Sequence, residues 1–462
     1  MINVVDARMG TGKTSAAIQY MNDHPDKRYL FITPFLDETQ RICDACSGLG
    51  FWTPNNIISE YDFKKTNHLR ALVETGRNVA LTHALFKICD AETVRVITER
   101  GYVIFIDEVI DVFEPLAIPD CDLKILRAAG YLKNADVGDG GDVNVLEMKE
   151  GVDYPGGAFS EVFTMARNNM LVDVTQRVRG GKDVNLYFWA LSKDLLALTD
   201  EVYVLTYMFD GMPMKALLEI YGIGYRYIGV CRDDDGVYRF TDEPVPDRAP
   251  ELARLLHICD NARLNSIGDK PTALSANWYK TAACNLENGR LETLRKNLNN
   301  FFRHYAPEGI GSAGRLWCTF KIAVGRVRDN GFYRCNLAWN ARATNDYQDR
   351  SVLAYCVNVY MNPNITIYFR ESGVAIDPDK YALANMVQWL WRGCIRRGEE
   401  MWVYVPSKRM RGLLQGWINE LAGRSDENCE TTEGNAGNAT GRTSAATNVR
   451  ATIIRRPELI RR

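Results

Sequence analysis

At 462 residues, 46% of them hydrophobic, the chain is long enough for two or three ordinary domains, each with a full core. Its 56 Lys and Arg are nearly matched by 58 Asp and Glu, so net charge announces no nucleic-acid partner, although a local basic surface remains open. Twelve cysteines are scattered, Cys43-Asp-Ala-Cys46 has no second pair at zinc-site spacing, and no run of eighteen apolar residues occurs, which together predict a soluble protein with reduced thiols.

The first predicted element is the short strand Ile2–Val5. Residues 7–14 follow as Ala-Arg-Met-Gly-Thr-Gly-Lys-Thr, which matches G-x-x-x-x-G-K-[ST] except for Ala7 in the first glycine position. The helix-like Ser15–Tyr20 comes next. In this strand–loop–helix context Gly10 and Gly12 let backbone N–H groups turn onto phosphate oxygens. Lys13 then reaches the β- and γ-phosphates and the Thr14 hydroxyl ligates Mg²⁺. Thr11 and Ser15 complete the expected nucleotide-binding set. Because residues 1–14 already carry this loop, no signal peptide is expected there.

Strands Tyr29–Pro34, Asn78–His83 and Tyr102–Asp107 are apolar runs ending in polar residues, with a helix-like stretch from Leu36 to Ile42 between the first two. Strands alternating with helices predict a parallel sheet covered on both faces, with ligands beyond the carboxyl ends of the strands. From about 112 to 185 the pattern is irregular and reads as an insertion or extended loop. Regularity returns at Glu201–Thr206. Residues near 230–250 are polar and proline-bearing, suiting an interdomain connection or a surface hairpin. A second alternating region runs from about 251 to 420, with strands Gly314–Phe320, Val352–Val359 and Met401–Val405. The remainder is a low-complexity segment with a basic tip, expected to be disordered. The expected organisation is a domain over 1–235, a second over 236–422, and a tail over 423–462.

Two further constellations carry chemistry. The strand Ile104-Phe-Ile106 delivers Asp107 to hold Mg²⁺ and Glu108 to orient or deprotonate the attacking water. In Gln388-Trp-Leu-Trp-Arg392-Gly-Cys-Ile-Arg396-Arg397, two arginines four residues apart are predicted to share one face of a helix. Arginines stabilise the charge that spreads over a γ-phosphate in its transition state.

These pieces together resemble the superfamily 2 helicases and translocases, in particular those of tailed bacteriophages, over roughly residues 1–420. Ala7–Thr14 looks like motif I, Phe31–Pro34 like motif Ia, and Asp107–Ile110 like a variant motif II. Val204–Phe209 resembles motif III, Asn340–Asn345 motif V and Gln388–Arg397 motif VI. The resemblance implies two RecA-like α/β domains with ATP and Mg²⁺ bound between them. Lys13, Asp107, Glu108, Arg392 and Arg396 would be catalytic, Gln388 would join the nucleotide contacts, and Thr206 would couple nucleotide state to closure. Thr33, Thr82, His83 and Arg342 would lie on the nucleic-acid side, touching backbone. The implied partner is DNA, single-stranded or forked, with RNA as second candidate, in the cytoplasm (of the host if phage-encoded).

Three departures stand out. Ile395 holds the usual place of the second motif VI arginine, motif II is not Asp-Glu-Ala-Asp, and residues 1–6 leave no room for an upstream adenine-reading glutamine motif. A packaging-motor ATPase is an alternative, but Asp346 and Asp349 are too few for its nuclease. A nucleotide-gated adaptor is the other, opposed by Glu108 and the two arginines. Tryptophans 389, 391, 402 and 417 read as core, and Lys408-Arg409-Met-Arg411 as a phosphate contact or a solvated helix start.

Overall fold

A computed structural model describes residues 1–135, 143–152, 154, 156–177, 183–285, 287, 289–341 and 346–423. The expected tail therefore lies, after its first residue, outside the described residues. In chain order the strands of the first half are β1 (Ile2–Asp6), β2 (Tyr29–Thr33), β3 (Val79–Thr82), β4 (Val103–Asp107), β5 (Phe113–Pro115), β6 (Leu132–Asn134), β7 (Val143–Met148), β8 (Leu171–Arg177) and β9 (Asp183–Ala190). Then come β10 (Val202–Thr206), β11 (Tyr225–Arg232), β12 (Tyr238–Thr241), β13 (Leu256–Ile258), β14 (Arg315–Cys318), β15 (Val352–Tyr355) and β16 (Met401–Tyr404).

The fold is α/β, as expected. Among the described residues a seven-stranded sheet has the order β12-β11-β1-β10-β4-β2-β3, parallel except for β12. Its central strands are apolar on both faces, and both faces are covered. Ile104 and Ile106 of β4 enter one core with Leu69 and Leu72 of helix Lys65–Glu74. Val103 and Phe105 enter the other with Ala17 and Met21 of helix Lys13–Asp23. That period of two, buried on each side, is what a doubly covered parallel sheet requires. The register sets Asp6 beside Thr206 and Leu205 beside Asp107, so the ends of β1, β10 and β4 form one carboxyl edge.

The segment between β4 and β10 corrects the expectation of an irregular insertion over 112–185. It is a five-stranded antiparallel sheet, β5-β9-β8-β7-β6, backed by helices Asp120–Ala128 and Ser160–Arg167, and its strands run on to Ala190. Strand β7 buries only Leu146 fully, and its apolar alternation (Val143, Val145, then Leu146, Met148) slips by one place there, so it carries no clean strand signal. The expected boundary at 235/236 is also corrected. It cuts a turn in which Asp233 N–H donates to Val237 O at 2.8 Å and Val237 N–H donates to Asp233 Oδ1 at 2.7 Å. The polar run there is the tip of the β11–β12 hairpin, and the connection to the second sheet follows Thr241.

The second sheet is parallel, in the order β13-β16-β15-β14. Leu353, Tyr355, Met401 and Val403 pack on one side with helices Pro378–Leu390 and Lys408–Leu421. Val352, Ala354 and Tyr404 pack on the other with helix Arg290–His304. Trp389, Trp391 and Trp417 are buried in this lobe as expected, while Trp402 is half-buried and stacks on His257. Between β15 and β16 the helix Pro363–Glu371 crosses to the first lobe, where Tyr368 stands 4.1 Å, ring to ring, from Phe113 of the insertion. Among the described residues no helix is long and apolar enough to cross a membrane.

Candidate nucleotide cleft

Strand β1 ends at Asp6, and the chain turns through residues 7–12 into helix Lys13–Asp23. Gly10 and Gly12 hold φ of +88° and +93°, in the left-handed region that residues with a Cβ rarely adopt. A Cβ on Gly12 would also fall 2.1 Å from Cδ1 of Tyr238. Asp6 fixes the neighbouring loop by accepting from the N–H groups of Met208 and Phe209 at 2.7 and 3.0 Å. Burial raises its pKa, against the pull of those two N–H groups.

Lys13 folds over the loop, its ammonium donating to the carbonyls of Ala7 and Arg8. Burial lowers its pKa to about 8, opposed chiefly by Asp107. Thr14 Oγ1 donates to Asp107 Oδ1 at 3.3 Å, which brings together two hard oxygen donors of the kind Mg²⁺ prefers. Burial, with Glu108 alongside, raises the Asp107 carboxyl to about 7. Glu108 itself holds φ of +59°, a strained conformation for a non-glycine residue, anchored by its N–H to Leu205 O at 2.9 Å. Such an outlier at a strand end is the mark of a side chain aimed by its surroundings.

The second lobe supplies the opposite wall. Arg392 is buried, and its Nη2 lies 3.4 Å from Glu108 Oε1. Neither Arg392 Nε nor Glu108 Oε2, both buried, has a hydrogen-bond partner among the described residues. The Cγ of Arg396 comes within 3.8 Å of the position a Cβ on Gly10 would take. One expectation is corrected here. The two arginines do not share a helix face, because helix Pro378–Leu390 ends before them and Arg396 sits in the 3₁₀ turn Cys394–Arg397. The break is at Gly393, whose Cβ would meet Arg350 O at 2.8 Å, and there Cys394 N–H donates to that same carbonyl.

A cavity of about 410 Å³ joins these groups. Gly10, Gly12, Lys13, Thr14, Ser15, Asp107, Glu108 and Thr206 line it from the first lobe, and Gln388, Arg392 and Arg396 from the second. Thr11 is not among its walls; its hydroxyl donates to Arg8 O at 2.7 Å within the loop. Glu38, Arg41 and Tyr238 also line the cleft and were missed in the sequence, as was Asp6 behind it. Glu38 and Arg41 sit three apart on helix Leu36–Ala45, joined by a 2.7 Å ion pair, so helical spacing after Pro34 held a usable signal. The lobes are also tied beside the loop. Asp247 pairs with Arg8 at 2.9 Å and accepts from Tyr207 OH at 2.7 Å, and Trp417 Nε1 donates to that hydroxyl at 3.0 Å.

Thr33, Thr82 and His83, expected on a nucleic-acid side, each have internal contacts or burial in this conformation. Thr33 is fully buried, with no partner for its hydroxyl among the described residues. Thr82 caps the next helix by accepting from Leu85 N–H, and His83 Nε2 donates to Asp107 O at 2.9 Å. His83 thus braces the acidic strand end. Arg342 lies outside the described residues. Arg409 is likewise spoken for, pairing with Asp379 and donating to Val359 O.

Residues 250–418 match the family model described as the YonV C-terminal Rossmann-like domain. Over 424 residues, 90% of this chain and 98% of the relative, the sequence is 32% identical to the SPbeta prophage-derived protein YonV of Bacillus subtilis (strain 168). Among solved structures, that of the DUF1998 helicase MrfA aligns with 94% of this chain at 9% identity and a TM-score of 0.31. The chain spans 55% of the length of that protein. At 32% identity across nearly the whole of both sequences, the chain belongs to the YonV family.

Proposed function

We propose that this chain is an ATP hydrolase that converts nucleotide turnover between two lobes into movement along, or unwinding of, nucleic acid, a superfamily 2 helicase or translocase of phage type. The observation that carries the reading is the single cleft whose walls combine Lys13, Thr14, Asp107 and Glu108 with Arg392 and Arg396. The glycine turn, the lysine and the helix N-terminus suit a polyphosphate. Thr14 and Asp107 would hold Mg²⁺, which when bound neutralises charge on the triphosphate. Lys13 would exchange its loop carbonyls for phosphate oxygens, and Glu108 would position water for attack. Arg392 and Arg396 would stabilise the charge of the transferring phosphoryl group, so that hydrolysis needs both lobes. Release of that charge would let the lobes part, and repetition would give stepwise motion. DNA as the track rests on the motif resemblance, and the prophage-derived relative agrees with a phage type.

ATP hydrolysis by the wild type should be stimulated by DNA and abolished by Lys13→Ala. A strand-displacement assay on DNA and RNA duplexes with single-stranded tails of each polarity then separates helicase from bare ATPase. Hydrolysis that survives Lys13→Ala would overturn the reading of the cleft. Stimulated hydrolysis without displacement on any substrate would reduce it to a translocase or nucleotide-gated binder.

A further inference from the structure

Gly12 of the phosphate loop is walled on one side by a ring from the far edge of the sheet. Tyr238 opens β12, the antiparallel edge strand, and the hairpin carries it back over helix Lys13–Asp23. The same ring borders two cavities. It lines the nucleotide cleft, and it lines a second recess of about 290 Å³ between that helix and the hairpin. The recess is walled by Tyr20, Tyr203 and Phe240, the last two stacked at 5.2 Å and 13°, with Gln19 and Arg239 among its polar groups. Tyr238 is half-buried. Its ring packs between Gly12 and the guanidinium of Arg232, which lies 5.7 Å from its centroid.

A polyphosphate seated on residues 10–14 leaves its nucleoside one ribose away from the loop. Two tyrosines line the cleft among the described residues: Tyr207, whose hydroxyl is bonded to Asp247 and Trp417, and Tyr238, which packs on Gly12 at the junction of the two cavities and so flanks the loop on the side of the second recess. We propose that Tyr238 is the platform on which the nucleobase of the bound triphosphate stacks, a base-binding contact that resides on the hairpin. Every base has a π-face, so stacking alone discriminates little between purines. The cleft should therefore accept adenosine and guanosine triphosphates with similar affinity. This inference rests on the nucleotide reading of the cleft.

The test uses the full chain and two probes, the fluorescent 2-aminopurine riboside triphosphate and inorganic tripolyphosphate, which has no base. Wild type should quench 2-aminopurine on binding and release it to tripolyphosphate, with ATP and GTP competing within about threefold of each other. Tyr238→Leu, which keeps apolar bulk against Gly12, and Tyr238→Ala should lose the quench and bind the nucleotides about tenfold more weakly. Both should bind tripolyphosphate as wild type does, and Tyr238→Phe should behave as wild type throughout. Unchanged quench and nucleotide affinity in the leucine and alanine variants would overturn the platform while sparing the cleft. Equal loss of tripolyphosphate would also overturn it, since the ring would then merely prop the loop. A wild type that binds neither probe would overturn the nucleotide reading itself.

Discussion

Replacing Arg392 by alanine tests the split site most sharply, because the structure gives that side chain two separable jobs. Its side chain is 6% exposed and its partner Glu108 is 27% exposed, with 3.4 Å between the charged atoms. At an effective dielectric near 20, opposite charges so placed attract by about 5 kcal/mol, most of it cancelled by desolvation. Removing one partner of a fully buried pair costs about 3–5 kcal/mol, because the other charge is stranded. The remaining exposure of Glu108 lowers the expected cost to about 2 kcal/mol, a shift of several degrees in Tm. Loss of an arginine at the γ-phosphate should in addition lower kcat about a thousandfold, with ATP affinity little changed. A second substitution separates these effects. In Arg392→Ala/Glu108→Gln the stranded group is a neutral amide, so most of the lost stability should return while kcat stays low. Thermal unfolding and steady-state ATP hydrolysis, measured on the wild type and three variants, provide the cycle. Wild-type kcat in Arg392→Ala would refute the finger, and a double variant no more stable than the single would refute the ion-pair reasoning.

Gly12→Ala should abolish nucleotide binding, since a Cβ would stand 2.1 Å from Tyr238 and φ is +93°. Adding Tyr238→Ala should not restore it, because the backbone strain of about 1–2 kcal/mol remains; calorimetric titration with ATP decides. The Asp107 carboxyl, raised to about 7 by burial and then Glu108, favours its protonated form in the folded chain. A raised carboxyl pKa means that stability is lost as pH climbs from about 4 towards 7. Asp107→Asn should therefore stabilise the metal-free protein at pH 8 by about 1–2 kcal/mol in thermal unfolding, while ending Mg²⁺-dependent hydrolysis. For the same reason Mg²⁺ uptake near pH 6.5 should release protons, seen as a buffer-dependent heat, and should weaken as pH falls. Tyr368→Ala removes the ring packed 4.1 Å from Phe113 and should cost about 3–5 kcal/mol, exposing the insertion to limited proteolysis before the sheets unfold.

The first-lobe wall of the candidate cleft was legible because its residues are local in sequence. Gly10, Gly12, Lys13 and Thr14 lie within one turn of chain, and Asp107 and Glu108 follow a strand whose apolar run is unmistakable. What was illegible depends on contacts between distant segments. Arg392 and Arg396 were found by their spacing, yet the helix meant to align them stops at Leu390, because Gly393 must pass close to the carbonyl of Arg350. Tyr238 could not be singled out, since its importance arises only when the hairpin folds back over Gly12. The five strands of the insertion were hidden for another reason. Short antiparallel strands with one wet face, such as β7, interrupt their apolar residues with polar ones, here Asn144 and Glu147, and never build the long apolar run that marks a buried strand.

The two lobes meet through surfaces of opposite character, and that contrast bears on how closure could be driven. At the cleft the contact is ionic: Arg392 on Glu108, and Arg8 on Asp247, with Tyr207 and Trp417 behind. Away from it the contact is apolar, where Tyr368 and Phe369 of the crossing helix enter the core that holds Phe113 and Phe188. Ion pairs between partly wet groups are weak and easily exchanged for a ligand's charge. A dry aromatic seam is costly to open. On the proposed reading, a polyphosphate arriving between Lys13 and the arginines would rewrite the ionic contacts without disturbing the aromatic one. The lobes would turn about the Tyr368 seam, and the insertion, bonded to β4 on one side and packed against the crossing helix on the other, would feel each change at Asp107 and Glu108 directly.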